Sequence, residues 1–346
     1  MAGDLPPELK AMIAARLEGV SRKELAARAQ KLSDHYRAGG ASGPVVSDVA
    51  DVTAYLVSRL PATFAAVAAA LRETRLAAPV FEPARLLDIG AGPGTASFAV
   101  VAEWPEIASI IMIDGSRHFI NAAGELAAAS AHPALANSTR VMADVTRFGR
   151  DLPTADIVLA AYVLAEIREA DADTFLAQVW QACHGVLVLV EPGTPAGFER
   201  IRRARAALIA AGASIVAPCP HGLACPIVGP DWCHFAERLN RSRDHRLAKT
   251  ADAPFEDEKF SYVVAARPSV MVAPYDARVL APPKSSKSEM RLKLCTTEGV
   301  IAERVVPRRE REAYGRLRRA WWGDAVANGA PIHSASGGSG PGNAGQ

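Results

Sequence analysis

Cysteine is scarce in this chain, with 5 among 346 residues, and aromatic residues make up only 6%. Net charge is nearly absent as well, at +2, which excludes a molecule held to polyanions by its overall charge. No apolar run approaches the roughly 20 residues that cross a bilayer, so no membrane partner is expected. The opening M-A-G-D-L-P-P-E-L-K has neither a basic n-region nor an apolar h-region, and it is too acidic for a mitochondrial presequence. A cytoplasmic protein with reduced thiols is therefore the expectation, without disulfides. What is present is an apolar fraction of 49%, enough for the core of one large domain or of one domain with additions.

The few cysteines are not scattered. Cys219, Cys225 and Cys233 lie in A-P-C-P-H-G-L-A-C-P-I-V-G-P-D-W-C-H-F, and Cys295 follows in L-K-L-C-T. The gaps between them are 5, 7 and 61 residues. Four thiolates suit an iron–sulfur cluster or a zinc ion. The spacing lacks the short knuckles usual for structural zinc, yet His221 and His234 stand beside cysteines and can complete a zinc site. A set without metal is the third alternative. Cys183, in Q-A-C-H-G, reads as a small buried apolar residue.

The chain changes texture along its length. Residues 1–80 read as a helical cap, with Leu9, Met12, Ile13 and Leu17 at helical spacing and a Gly/Ser/Pro break at 38–44. From Arg85, strands expected at 85–89, 108–113, 139–142, 155–160 and 185–190 alternate with helices at about 95–103, 117–130, 172–182 and 196–211. This alternation predicts an α/β fold with a doubly wound, Rossmann-like sheet over 81–268. Residues 212–259 read as an insertion carrying three of the cysteines. A small β unit with a basic helix follows at 269–322, and 323–346 reads as a disordered tail.

The segment Asp88-Ile89-Gly90-Ala91-Gly92-Pro93-Gly94 follows the first strand and opens a helix. Its G-x-G-x-G pattern differs from the G-x-G-x-x-G of dinucleotide sites. An acid at the strand end suits the cationic methionine end of S-adenosyl-L-methionine better than a pyrophosphate. Asp114, ending the second strand, is placed to accept from two ribose hydroxyls, and Asp144, after the third, to contact the adenine amine. The competing expectation is a Rossmann-like sheet with an empty pocket, and Asp144 alone reads equally well as a loop acid. Catalytic residues are not evident. The fourth strand runs into L-A-A-Y-V-L-A-E-I, with Tyr162 but without the Asn or Asp and the prolines of N-P-P-Y sites. Pro218-Cys219 resembles the nucleophile pair of carbon-methylating enzymes but is misplaced for it. Glu191, in V-E-P-G-T-P, is the best-placed acid and serves equally as a helix cap.

Several of these blocks together resemble one family: Y-L-V-S-R-L-P-A-T-F-A-A-V, L-L-D-I-G-A-G-P-G-T, L-V-E-P-G-T-P, C-P-H-x4-C-P with W-C-H-F, and L-C-T-x2-G with W-G-D. It is the mitochondrial small-ribosomal-subunit assembly methyltransferase-like family, the group of methyltransferase-like protein seventeen and ribosomal small-subunit protein twenty-two. The resemblance spans about residues 45–324. It implies a class I S-adenosyl-L-methionine-dependent methyltransferase fold with an N-terminal helical cap and a C-terminal small β unit. It implies a cofactor loop over Asp88 to Gly94, including Gly90, Gly92 and Gly94, and a [4Fe-4S] cluster on Cys219, Cys225, Cys233 and Cys295, while Asp114 and Asp144 rest on the reading of the strand ends. The implied partners are the small ribosomal subunit and its 16S-type rRNA, with a monomer off the ribosome, and the lack of a presequence points to a bacterial, cytoplasmic relative. The basic runs at Arg200–Arg205, Arg241–Arg246 and 308–319 are expected to contact phosphates. From Lys284 to Arg319 there are 11 Lys or Arg against 5 Glu. The rival expectations are an active rRNA methyltransferase and a small-molecule methyltransferase with a structural zinc.

Overall fold

From Arg85 onward short apolar runs alternate with helical stretches. In the computed structural model, which describes residues 4–37, 46–146, 152–249 and 251–332, those runs pair into one sheet. The Gly/Ser/Pro break at 38–44 lies outside the described residues, as do residues 333–346 of the expected tail. Four helices precede the sheet: α1 (Pro7–Arg16), α2 (Arg22–Arg37), α3 (Val49–Ser58) and α4 (Leu60–Ala77). Asp48 caps α3 by accepting from Asp51 N, and Arg28 of α2 binds both Asp48 and Asp51. Pro61 sits in the first turn of α4, where its missing N–H costs nothing. The axes of α3 and α4 meet at 51°. Most of α4 is buried, and its alanines allow close approach to neighbouring helix and sheet. Among the described residues no single helix is long and apolar enough to cross a membrane.

The main sheet comprises β1 (Arg85–Ile89), β2 (Ser109–Asp114), β3 (Thr139–Met142), β4 (Ala155–Ala161), β5 (Cys183–Pro192), β6 (Ser214–Ala217), β7 (Phe235–Asn240) and β8 (Phe255–Ala266). Between them run α5 (Thr95–Glu103), α6 (Arg117–Ala128), α7 (Pro133–Ala136), α8 (Ala172–Ala182), α9 (Pro195–Ala210) and α10 (Arg243–Ala248). The order is β3-β2-β1-β4-β5-β8-β6, and β7 pairs with the first half of β8. Strands β1 to β5 are mutually parallel, whereas β8 is antiparallel to both β5 and β6. A Rossmann-type half, a reversed strand and a returning edge strand make this a class I methyltransferase sheet. The all-apolar run Val186–Val190 is the buried centre of β5, covered on both faces. The segment 212–259 is not wholly an insertion, because Ser214–Ala217 forms the edge strand and Phe255 already begins β8. Only four residues form that edge, too few for a period-2 pattern to stand out.

A second sheet follows: β9 (Ala277–Val279), β10 (Lys284–Ser285), β11 (Glu289–Thr296), β12 (Ile301–Pro307), the helix α11 (Arg311–Leu317), then β13 (Ala325–Ala327) and β14 (Ala330–Ile332). Its own core is formed by Val279, Met290, Leu292, Leu294, Val306 and Leu317, joined by Val326. The expectation of disorder from Gly323 is therefore wrong up to Ile332. Asn328 and Gly329 both take positive φ, at 51° and 71°, which is the two-residue hairpin turn that Asn-Gly favours.

Arg278 of β9 joins the two sheets. Its guanidinium is buried and donates to Pro218 O at 2.8 Å, Gly323 O at 2.7 Å and Tyr275 Oη at 2.9 Å, and it pairs with Glu73 of α4. Arg278→Ala leaves the half-buried Glu73 carboxylate and Gly323 O without this partner, while Pro218 O keeps the Tyr275 hydroxyl, and the loss is expected to cost about 3 kcal/mol. Urea unfolding followed by tryptophan fluorescence should show that loss. A midpoint equal to wild type would mean that the sheets dock without this residue.

Candidate cofactor loop and cysteine centre

The glycine loop crosses the carboxyl end of the main sheet, where open α/β sheets bind ligands. Gly90 has φ 65°, and a Cβ there would stand 2.3 Å from Val163 Cγ2, so no side chain fits between the loop and the segment after β4. The N–H groups of Gly90 and Ala91 both donate to Ile113 O. Gly92 N donates to Asp114 Oδ2 at 2.8 Å, and Ser116 N to Asp114 Oδ1 at 2.7 Å. The structure therefore fixes Asp114 against the loop at the end of β2. Burial raises its carboxyl to about 6.

The other two expected acids point elsewhere. Asp88 is buried and accepts from Ser97 N at 3.1 Å and Ser97 Oγ at 2.7 Å, so it anchors the start of α5 from beneath the loop. Asp144 accepts from Thr146 N at 2.9 Å and Oγ1 at 2.7 Å, closing its own turn. Glu191 is fully buried and accepts from Leu164 N at 3.0 Å and Arg200 Nε at 2.7 Å. Burial raises it to about 7 against the opposing charge of Arg200. It braces the segment after β4, while Thr194, not Glu191, caps α9. Sequence reasoning missed the group beside it. Tyr162 has φ 63°, an unusual conformation for this residue, and its hydroxyl donates to Glu258 Oε1 at 3.0 Å. Arg59 lies 3.6 Å from the same carboxylate. The positive φ was invisible in L-A-A-Y-V, and the partners come from 100 residues either side.

The structure brings together all four cysteines expected to act jointly. Cys219 follows β6, Cys225 lies in the next loop, Cys233 precedes β7, and Cys295 is in β11 of the second sheet. All four line one cavity, together with Arg205, Arg278 and Tyr262. The thiols are free. Burial raises Cys219, and burial with the neighbouring thiols raises Cys295 to about 12 and Cys233 well above its ordinary value. Arg205 and Arg278 oppose these shifts. His221 Nδ1 accepts from Leu223 N at 3.1 Å, which leaves the proton on Nε2, 3.4 Å from Cys295 Sγ. His221 is thus arranged to donate to the sulfur and not to bind metal. His234 is held between Trp232 and Trp322, with ring centroids 5.0 Å from each. Among the described residues no three His, Cys, Asp or Glu stand close enough to hold a single metal ion. The cavity nonetheless suits an anionic sulfur-rich group, because Arg205 Nε is buried at its wall and has no hydrogen-bond partner among the described residues.

The basic runs divide. Arg200, Arg202 and Arg203 are paired with Glu191, Glu199 and Glu169, and Arg205 is buried, so the first run is not a phosphate surface. Arg304, Arg308, Arg309, Arg311, Arg318 and Arg319 are exposed on the second unit, next to Trp321 at 44% exposure.

The family described as mitochondrial small ribosomal subunit Rsm22 matches residues 49–327. The chain belongs to this family. It is 28% identical over 290 residues to the human mitochondrial ribosome assembly protein METTL17, covering 79% of this chain and 61% of that protein. It is 24% identical over 328 residues to Rsm22-cox11 tandem protein 2, mitochondrial, of Schizosaccharomyces pombe, covering 79% and 42%. The chain thus spans less than two thirds of the length of these relatives. A bacterial, cytoplasmic protein, as expected from the opening residues, is overturned by this finding: the family and these relatives are mitochondrial. A leader is a property of a few terminal residues and does not identify the lineage of the fold behind it. Among solved structures, the magnesium protoporphyrin IX methyltransferase of Synechocystis with bound SAM superposes with a TM-score of 0.37 at 16% identity, covering 68% of this chain and 90% of that one. An O-methyltransferase family protein from Burkholderia thailandensis gives 0.42 at 11%, covering 64% and 61%. With scores this low, the class I assignment stands on the strand order.

Asp88 supplies a test of the buried loop anchor. Burial lifts its carboxyl from 3.8 to about 7. Across that window the folded state binds more protons than the unfolded state, so stability falls as pH rises from about 4 to about 7. Asp88→Asn keeps an acceptor for Ser97 and removes the charge. Denaturant midpoints on either side of the window should differ less in the variant than in the wild type, and an identical fall in both would mean that Asp88 does not carry it.

Proposed function

We propose that this chain is a small-ribosomal-subunit assembly factor that binds S-adenosyl-L-methionine, holds a [4Fe-4S] cluster and contacts rRNA. The observation that carries the reading is the convergence of Cys219, Cys225, Cys233 and Cys295 on one cavity between the two sheets. The gaps of 5, 7 and 61 residues, with no short knuckle, favour an iron–sulfur core over zinc in this reading. Such a group ties separate chain segments together and supplies folding free energy when bound. Here those segments are the 218–233 loop and β11, and β11 belongs to the unit that bears the exposed arginines and Trp321. Phosphate contacts by those side chains give binding that weakens with salt. Gly90, Gly92, Gly94 and Asp114 form the methyl-donor site in this reading. Asp88 supports the loop from below, and Asp144 has no role in it. Support for assembly as the role comes from the family and from the name of the human relative. Among the described residues no acid–base pair identifies a methylation step, and binding is the activity proposed.

The protein prepared without oxygen should carry iron and sulfide and absorb in the visible. Cys295→Ser should lose the iron and most co-sedimentation with small ribosomal subunits. Retained iron-free co-sedimentation at wild-type affinity would separate the cysteine centre from RNA binding, and stoichiometric zinc without iron would overturn the cluster. Asp114→Ala should weaken adenosylmethionine binding about tenfold or more, since charge-assisted hydrogen bonds contribute about 1.5–3 kcal/mol each. Unchanged calorimetric affinity in that variant would move the site away from β2.

A further inference from the structure

The cysteine cavity contains an unbalanced positive charge. A buried guanidinium is retained only where its charge and its donors are answered. Three arginines line the cavity. Arg278 is paired with Glu73, and Arg202 with Glu199. Arg205 is different. It is 4% exposed and, among the described residues, has no carboxylate within ion-pair distance. Its Nη1 donates to Leu223 O at 2.8 Å and its Nη2 to His221 O at 2.7 Å, both in the cysteine loop. Among the described residues its Nε has no hydrogen-bond partner. The groups of opposite potential charge that line the same cavity are the thiols of Cys219, Cys225, Cys233 and Cys295. Four thiolates outweigh the positive charge of any metal core they bind, so a bound centre is an anion in need of a nearby cation.

We propose that Arg205 is the counter-charge of the cysteine centre, a positioning residue that strengthens metal retention and raises the centre's affinity for an added electron. This rests on the cluster reading above. The charge sits on α9, whose Phe198, Ile201 and Leu208 are buried, so its position does not depend on the metal. Nε supplies a donor to sulfur, and the two Nη bonds hold the loop between Cys219 and Cys225 against the helix. Partners outside the ligand sphere that orient and tune ligands in this way change metal affinity by about 10–100-fold when removed.

The test compares wild type, Arg205→Gln and Arg205→Lys, each purified anaerobically, by iron loss to a chelator and by the reduction potential from a spectroscopic titration. Adenosylmethionine binding serves as the check on folding. Arg205→Gln should lose iron about tenfold faster and shift to a more negative potential. Arg205→Lys keeps the charge but not the fork. It should lose iron faster while holding a potential closer to wild type. Equal potential shifts in both variants would assign Arg205 to bracing alone and overturn the counter-charge. An unchanged potential in Arg205→Gln with the cluster in place would overturn it too, leaving the cluster reading intact. A wild-type protein without iron would overturn both.

Discussion

A guanidinium withdrawn from water has to have its donors met, and Arg278 meets that demand by drawing four parts of the chain to one point. Glu73 comes from α4, Pro218 O from the residue before Cys219, Gly323 O from the approach to β13, and Tyr275 Oη from the approach to β9. Only a docked second sheet satisfies all of them. Docking in turn brings β11 beside the 218–233 loop, and with it Cys295 to the other three thiols. The cysteine cavity is therefore a consequence of how the sheets meet and not a knuckle folded by itself. This is why the gaps in sequence are long and why no pair of cysteines is local.

The two polar centres of the molecule have opposite electrostatic character. At the carboxyl end of the sheet, Asp88, Asp114 and Glu191 are all raised by burial, so that end disfavours further negative charge and gains from a cation. The cysteine cavity instead holds Arg205 and Arg278 and gains from an anion. The proposed ligands follow this division. Adenosylmethionine carries a sulfonium, and the N–H groups of Gly90, Ala91 and Gly92 are already taken by Ile113 O and Asp114, while a thiolate-bound core would carry net negative charge in a cavity lined by Arg205.

Much of this was legible in the sequence. The strands expected at 85–89, 139–142 and 155–160 became β1, β3 and β4 within a residue. β1 and β4 carry apolar stretches buried in the sheet, whereas β3 is an edge strand exposed along its length. The cysteines were legible as a set because there are so few. Other features were not. Ser214–Ala217 is an edge strand too short for periodicity to mark it. β13 and β14 hid in a Gly- and Ala-rich composition, although Asn328-Gly329 was a local hairpin signal. Composition also misled at Arg200–Arg205, where a run that reads as a phosphate-binding surface is spread over ion pairs and one buried side chain. Helical periodicity turns neighbouring residues to different faces, so a charge run on α9 could not be one surface. The Ser97 partner of Asp88 was hidden for a related reason. A strand-end acid can face the ligand or the helix beneath, and only the position of Ser97 decides.

Sequence distance separates the glycine loop from the cysteines, but space does not. Helix α9 places Arg200 on Glu191, which holds the segment packed against Gly90, and one and a half turns later it places Arg205 in the cysteine cavity. Strand β8 does the same. Glu258 receives the Tyr162 hydroxyl, and Ser261 donates to Cys233 O at 2.7 Å. Shared elements alone do not make the sites communicate, since coupling needs an element with two arrangements that both sites bias. Here α9 is pinned by Phe198, Ile201 and Leu208, and β8 by pairing on both sides, so neither has an evident second position. The second sheet meets the cysteine cavity directly, through Cys295 and Arg278, whereas the glycine loop is linked to it through α9 and Glu191. The exposed arginines of 304–319 therefore share a unit with one of the four cysteines, and the glycine loop does not.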